Sequence, residues 1–405
     1  MGIVEKIKEI EAEIAKTQKN KATEHHLGGL KAKLAKLRSQ LLEPKGTGGP
    51  GEGFDVKKFG DARVALIGFP SVGKSTLLST ITETESEQAS YEFTTLTCIP
   101  GIINYKDTKI QLLDLPGIIE GAAHGKGRGR QVIAVAKSAD LILMVLDAAK
   151  ERGNQHKEIL EKELTTVGLR LNQKPPDIYV KVKPTGGIKF NSTVTLTKLG
   201  PDPAKEVYNV LHEYKMHNCE VLFREDCNID QFIDVIEGNR KYVRCLYVYN
   251  KVDMCSIEHV DSLARRPNAV VISCNLSLGL EFLLEQIWKN LGLVRVYTKK
   301  KGHAPSFDAP IVLTEGRGGV TIENACRQIH KDLLENFKYA MVWGTSTKYN
   351  PQRCGLSHCL EDEDVLQIVI KTAEEQRHEK SYGQKVQQYY DTYHQGKKKK
   401  AKLKT

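Results

Sequence analysis

The stretch Gly68 to Thr76 reads G-F-P-S-V-G-K-S-T, and no other feature narrows the possible folds of this chain as far. It satisfies G-x-x-x-x-G-K-[ST], a loop whose backbone N–H groups wrap phosphate oxygens. Such a loop needs a strand before it and a helix after it. Ala62 to Gly68, A-R-V-A-L-I-G, is a short apolar run suited to a buried strand, and Lys74 to Ile81 can begin a helix. Glycines at Gly68 and Gly73 let successive N–H groups turn inward as an anion nest, and the helix N-terminus adds partial positive charge. Phe69, Pro70, Ser71, Val72 and Thr76 complete the loop. Lys74 is placed to reach the β- and γ-phosphates of a nucleotide, and the Ser75 hydroxyl to take a Mg²⁺ position. A plain glycine-rich turn is the competing reading, and pattern and context together disfavour it.

Three more segments point to a guanine base. Asp114-Leu115-Pro116-Gly117 follows the apolar run Ile110 to Leu113. A carboxylate there can hold the Mg²⁺ shell, and Gly117 lets the backbone approach the γ-phosphate. Asn250-Lys251-Val252-Asp253 follows the predicted strand Val243 to Tyr249. An Asp253 carboxylate accepting from N1–H and the exocyclic amine fits guanine, whereas adenine leaves it unpaired. Ser273-Cys274-Asn275 follows the predicted strand Ala269 to Ile272, where a loop N–H can meet the base O6. Each segment is weak alone. In this order, each at the carboxyl end of a predicted parallel strand, they agree on one ligand edge.

At these residues the chain resembles the Obg-related GTPases, in G-F-P-S-V-G-K-S, in Tyr91-Glu92-Phe93-Thr94-Thr95-Leu96 and in D-L-P-G-I-I-E-G from Asp114 to Gly121. Within them, K-N-K-A-T-E-H-H-L at Lys19 to Leu27, G-K-G-R-G-R-Q at Gly125 to Gln131 and the domain order resemble the developmentally regulated GTP-binding proteins. N-S-T-V-T-L-T at Asn191 to Thr197 is closer to the second eukaryotic paralogue. The resemblance implies a GTPase that turns GTP into GDP and phosphate, with Lys74, Thr95 and Gly117 as the catalytic elements and Ser75, Thr95 and Asp114 around Mg²⁺. It further implies a dedicated regulatory protein partner. Thr95 is chosen over Thr94 by its place in the family pattern. Ile118 stands where Ras-like proteins carry a water-orienting Gln, and an apolar side chain cannot hold water by hydrogen bonds. The family is regarded as hydrophobic at this position. K⁺ stimulation is permitted and not established, because K⁺-using relatives commonly carry Asn where this loop has Ser71.

The fold expected is α/β, a P-loop GTPase domain interrupted by a small α+β domain and flanked by an N-terminal helical hairpin and a C-terminal TGS (β-grasp) domain. The boundaries drawn are 1–46 for the hairpin, 47–165 and 240–292 for the GTPase domain, 166–239 for the insertion, 293–370 for TGS and 371–405 for a basic extension. The insertion follows from spacing, since Asp114 to Asn250 is more than twice the length that two β–α units of roughly 30 residues need. Within it, Ile178 to Lys183 and Gly187 to Thr197 read as a hairpin about Gly186-Gly187, and Ala204 to His217 as a helix. In the TGS region Ile322 to Leu334 reads as one helix.

Isoleucines at Ile3, Ile7, Ile10 and Ile14 and leucines from Leu27 to Leu41 recur at helical spacing, so the hairpin stripes should face each other. Lys19, Lys21, Lys31, Lys33, Lys36 and Arg38 then either form a phosphate-contacting surface or merely solubilise the packed pair. The formal net charge of +10, clustered here, at Lys126 to Arg130, at Lys299 to Lys301 and at Lys397 to Lys404, suggests a polyanionic partner, and together with the family resemblance it implies the ribosome or another structured RNA. No apolar run is long enough to span a bilayer and no signal peptide is visible, so no membrane role and a cytoplasmic location are expected. Gly2 does not signal myristoylation, because Lys6 stands where Ser or Thr is required. Nine scattered cysteines fit reduced thiols, and Cys354, His358 and Cys359 lack a second knuckle and read as surface loop. Two other function classes stay open. One is a nucleotide-regulated RNA-binding adaptor with little hydrolysis; the other is an ATPase, against which Asn250 to Asp253 argues.

Overall fold

In the computed structural model, residues 3–18, 20, 23–42, 60–82, 100–115, 135–150, 153–200 and 202–372 are described. Thr95, Gly117, Ile118, the Gly125 to Gln131 segment, Lys19, Lys21 and the basic extension from 373 onward lie outside the described residues. Two compact units are present, Met1–Tyr105 with Lys109–Leu291 and Lys106–Thr108 with Gly292–Thr405.

The first unit carries strands β1 (Ala62–Ile67), β2 (Pro100–Tyr105), β3 (Thr108–Asp114), β4 (Leu141–Asp147), β5 (Leu169–Leu171), β6 (Ile178–Val182), β7 (Ile188–Ser192), β8 (Cys219–Phe223), β9 (Lys241–Asn250) and β10 (Ala269–Val271). Seven of them form one sheet in the order β10-β9-β4-β1-β3-β2, with β5 also paired to β9. β1 runs parallel to β3 and β4, and β9 parallel to β4, β5 and β10. Every residue of β1 and β4 is buried, because helices cover a parallel sheet on both faces. That is why these segments read as continuous apolar runs. The exception is Arg63, 1% exposed, whose Nε donates to Gln111 Oε1 at 3.1 Å and whose guanidinium also reaches Ser138 Oγ at 2.7 Å. A buried cation survives only with such partners.

The inserted residues form a three-stranded sheet, β6-β8-β7. The expected hairpin is therefore corrected: β6 and β7 do not pair with each other. β8 lies between them, antiparallel to β6 and parallel to β7. Gly186 and Gly187 do turn the chain at positive φ, but Asn218, just before β8, holds that turn through Gly187 N (2.9 Å) and Pro184 O (3.2 Å). The alternating burial of C-E-V-L-F gives β8 the inward-facing Cys219, Val221 and Phe223, which suit the central place. Helices Pro203–Glu213 and Ile229–Glu237 close one side, each with a side-chain N-cap, Asp202 and Asn228.

Helices Ile3–Lys16 and Glu24–Leu42 fold back on each other through Glu11–Arg38 (2.7 Å) and Glu13–His26 (3.0 Å). The second of them packs on the insertion, with Ala32, 1% exposed, inside the insertion's hydrophobic core. Lys31 pairs with Asp230 at 2.7 Å and Lys33 with Glu213 at 3.4 Å, and Lys36 donates to the Glu213 carbonyl at 3.4 Å. These lysines therefore join the hairpin to the insertion through ion pairs and a hydrogen bond, with the Lys31 and Lys33 side chains still partly exposed.

In the second unit, β11 (Val294–Lys299), β12 (Pro305–Leu313), β13 (Phe337–Trp343), β14 (Gln352–Cys354) and β15 (Asp364–Ile370) form a sheet in the order β12-β11-β15-β13-β14. The single helix expected from Ile322 to Leu334 is two, Ile322–Ile329 and Lys331–Glu335. His330 is extended between them and its Nδ1 accepts from Asp332 N, so it caps the second. Cys354 is buried in the core with Val296, Ala340 and Leu366, which corrects its reading as surface chemistry.

Candidate functional site

All the described motif residues converge on the carboxyl edge of the large sheet. Register places Leu66 of β1 beside Asp114 of β3, and Asp147 of β4 beside Asn250 of β9. After β1 the chain enters the phosphate loop, where Ser71 and Gly73 adopt positive φ, 65° and 95°. A Cβ on Gly73 would collide with Asn250 Nδ2, and one on Gly68 with the Val145 carbonyl, so both positions require glycine. Gly73 is the N-cap of helix Lys74–Ile81 and offers no side-chain cap, leaving the first N–H groups facing the loop. Val72 is 2% exposed and anchors the loop, while Pro70, Ser75 and Thr76 are exposed and Phe69 is half-buried against His156, ring centres 4.2 Å apart.

Lys74 Nζ donates to the carbonyls of Gly68 (2.9 Å) and Phe69 (3.1 Å). Burial lowers its pKa from the usual lysine range, and the Asp114 charge opposes this only partly. The cation thus lies desolvated beside the nest, where a phosphate would repair its charge balance.

Ser75 Oγ donates to Asp114 Oδ2 at 3.2 Å. Asp114 is 8% exposed, and its Oδ1 is buried with no hydrogen-bond partner among the described residues. A buried carboxylate oxygen without a donor, next to a hydroxyl, fits a hard divalent cation that takes oxygen ligands. Ser75 and Asp114 are the described residues that could hold Mg²⁺.

Asn250 ties the loops together. Its Nδ2 donates to the Val72 carbonyl at 2.9 Å, and its Oδ1 accepts from Lys251 N (2.8 Å) and Cys274 N (3.1 Å). At 2% exposure its polar groups are engaged within the protein, which makes it a brace for the phosphate loop and both base loops. Lys251, at φ 67°, sends Nζ to the Ser71 carbonyl (3.0 Å) and to Asp147 Oδ2 (2.8 Å). Asp253 is exposed, and its Oδ1 accepts from Ser273 Oγ at 2.6 Å, which orients the carboxylate. Burial raises the Cys274 thiol pKa, so it stays protonated, and Asn275 is exposed beside it.

Asp147 is the residue that sequence reasoning missed. Its side chain is 3% exposed and also accepts from Ala149 N at 3.1 Å. The signal available was an acid ending D-L-I-L-M-V-L-D at the ligand edge of the sheet. A cleft of about 320 Å³ opens beside it, between Tyr249, Met254, His259 and Arg266. None of Gly68 to Thr76 lines that cleft, so it is not the phosphate cradle.

A phosphate loop, a buried carboxylate beside it and a braced N-K-x-D segment on one edge of a parallel sheet define a P-loop GTPase. Residues 63–181 match the family model described as "50S ribosome-binding GTPase", residues 185–293 the "C-terminal region of MMR_HSR1 domain" and residues 294–370 the "TGS domain". The chain is 66% identical over 377 residues to Developmentally-regulated G-protein 2 of Arabidopsis thaliana, covering 93% of each. It is 65% identical over 372 residues to Developmentally-regulated GTP-binding protein 2 of Homo sapiens, covering 92% of this chain and 100% of that one. The chain belongs to the developmentally regulated GTP-binding protein family, and is a GTPase. No described helix is long and apolar enough to cross a membrane.

Proposed function

We propose that this GTPase hydrolyses GTP to GDP and phosphate on the ribosome or another structured RNA during translation, in the cytoplasm. The observation that carries the nucleotide part is Asn250, which holds the phosphate loop and both base loops in one frame. In this reading Gly68 to Thr76 cradle the phosphates, Lys74 meets the β- and γ-oxygens, and Asp253 selects guanine. Ser75, Thr95 and Asp114 would hold Mg²⁺, and Thr95 and Gly117 respond to the γ-phosphate. Held by those residues, the ion would supply positive charge that offsets the charge of the phosphate oxygens. The RNA part rests on the net charge of +10 and on the family model's description as ribosome-binding. A dedicated regulatory protein partner is part of the proposal, from family membership alone.

Ile118 favours one second reading, a nucleotide-regulated adaptor that turns over little. Multiple-turnover GTP hydrolysis separates the two, measured with and without purified ribosomes, in matched K⁺ and Na⁺ buffers, with Lys74→Ala as blank. A ribosome-stimulated rate supports a site completed by its partner, and a higher rate in K⁺ adds that ion as cofactor. A slow rate unchanged by ribosomes overturns the translational reading. Competition by ATP would overturn the guanine assignment.

A further inference from the structure

Two apolar side chains of the phosphate loop fix it to the domain. Val72 is buried, and Phe69 packs on the core of the large sheet, where its ring stacks on His156 with centres 4.2 Å apart and planes 28° from parallel. His156, Leu160 and Leu164 follow at four-residue steps in helix Gly153–Val167, so they share one face. Leu160 and Leu164 lie in that core with Ile67 and Ile142. The same row carries His156 to the phosphate loop.

Phe69 also has a backbone role. Its carbonyl and that of Gly68 accept from Lys74 Nζ, at 3.1 and 2.9 Å. An ammonium has three donors, so one is left for a phosphate oxygen, and the two carbonyls set where it points. Gly68 is fixed by its close approach to the Val145 carbonyl. At Phe69 the support is the ring. Pro70 follows it, which disfavours helical backbone at Phe69 and links the direction of the ring to that of the carbonyl. Holding the ring thus holds the carbonyl. β4 and the helix after it therefore grip the loop twice: Asp147 acts on the Ser71 carbonyl through Lys251, and His156 acts on Phe69.

We propose that His156 is a positioning residue for GTP hydrolysis: by stacking on Phe69 it sets the Phe69 carbonyl, and through it the direction in which Lys74 meets the β- and γ-phosphates. The proposal rests on the reading of Lys74 given above. A ring is needed at this place, because a stack restrains the tilt and rotation of Phe69, whereas an aliphatic neighbour lets it turn. The long lysine stem has many rotamers, and the two carbonyls select among them before nucleotide arrives. A displaced ammonium loses more in the transition state than in binding, since negative charge then shifts onto the oxygens it faces.

The test uses the full chain, a fluorescent GDP analogue whose release is timed, and single-turnover hydrolysis of GTP. His156→Ala should release GDP about threefold to tenfold faster and slow hydrolysis by at least that factor. His156→Phe keeps a ring and should stay within about twofold of the parent. Phe69→Leu should match His156→Ala, and the double variant should be no worse than either single one, because the two rings act as one contact. Phe69→Leu keeps an apolar side chain on the core, so it carries the test even where His156→Ala does not fold. Lys157→Ala, one residue along the helix, removes a cation 3.8 Å from the Tyr247 ring centre and should lower the melting temperature while leaving both rates at the parent's values. Parent-like rates in Phe69→Leu, additive losses in the double variant, a His156→Phe no better than His156→Ala, or an equal loss in Lys157→Ala would each overturn the proposal. Lys74→Ala separates it from the reading beneath it: parent-like rates there refute both, whereas an impaired Lys74→Ala beside a parent-like His156→Ala refutes this proposal alone.

Discussion

At the scale of single residues, the site is a set of side chains whose partners are far away in sequence. Lys251 reaches two of them, the Ser71 carbonyl and Asp147. Its alkyl stem spans the phosphate loop and the base loops, and Asp147 fixes where it ends. Replacing Asp147 with Ala removes a charge-assisted acceptor, an interaction of roughly 1.5–3 kcal/mol, so GDP should bind about tenfold to a hundredfold more weakly. Asp147→Asn keeps one acceptor oxygen, enough for Lys251 or Ala149 N but not both, and should recover part of that loss. Dissociation rates of a fluorescent GDP analogue measure both; equal behaviour of the two variants would show that Asp147 acts only through packing. The motif residues were legible because phosphate, metal and guanine each demand a residue type at a fixed spacing. Asp147 was not, since its partner Lys251 follows the adjacent strand, 104 residues later, and no local pattern marks the pair.

Elements show the same division. The strands of the large sheet were legible because burial on both faces leaves unbroken apolar runs. The insertion's strand order was not, since two segments about a glycine turn look like a hairpin until Cys219–Phe223 takes the place between them. The same holds for the second hairpin helix, whose periodic leucines pointed to its partner helix, whereas Ala32 marks a further packing surface, against the insertion. An alanine gives no sequence signal, and the residues it meets come far later in the chain. Ala32→Glu therefore tests that packing. A carboxylate at a position 1% exposed has no partner there, and its desolvation costs several kcal/mol unless the helix leaves. Amide exchange should rise across Glu24–Leu42 and the adjoining helix Pro203–Glu213, with GDP affinity unchanged. Protection equal to the parent would mean that the helix does not depend on this seat.

Over the whole molecule, the net charge of +10 is not one reservoir for an anionic partner. Lys31, Lys33 and Arg38 are already matched to Asp230, Glu213 and Glu11, and pairs of this exposure contribute about 0–1 kcal/mol each to the fold. Deleting residues 1–46 would therefore confuse loss of charge with loss of the helix that completes the insertion's core. Point changes keep the two apart. The triple variant Lys31→Gln, Lys33→Gln, Lys36→Gln should lower the melting temperature by a few degrees and leave the salt dependence of ribosome binding unaltered. Removing residues 373–405, which include Lys397 to Lys400, should do the reverse: unchanged melting, and a slope of log affinity against log salt flatter by about 0.7–0.9 for each RNA phosphate that the tail had neutralised. Sedimentation with ribosomes across a KCl series, alongside thermal melts, measures both. If the triple variant flattened the slope instead, the paired lysines would be exchanging their acids for RNA phosphate on binding, and the hairpin would leave its seat whenever the ribosome is bound.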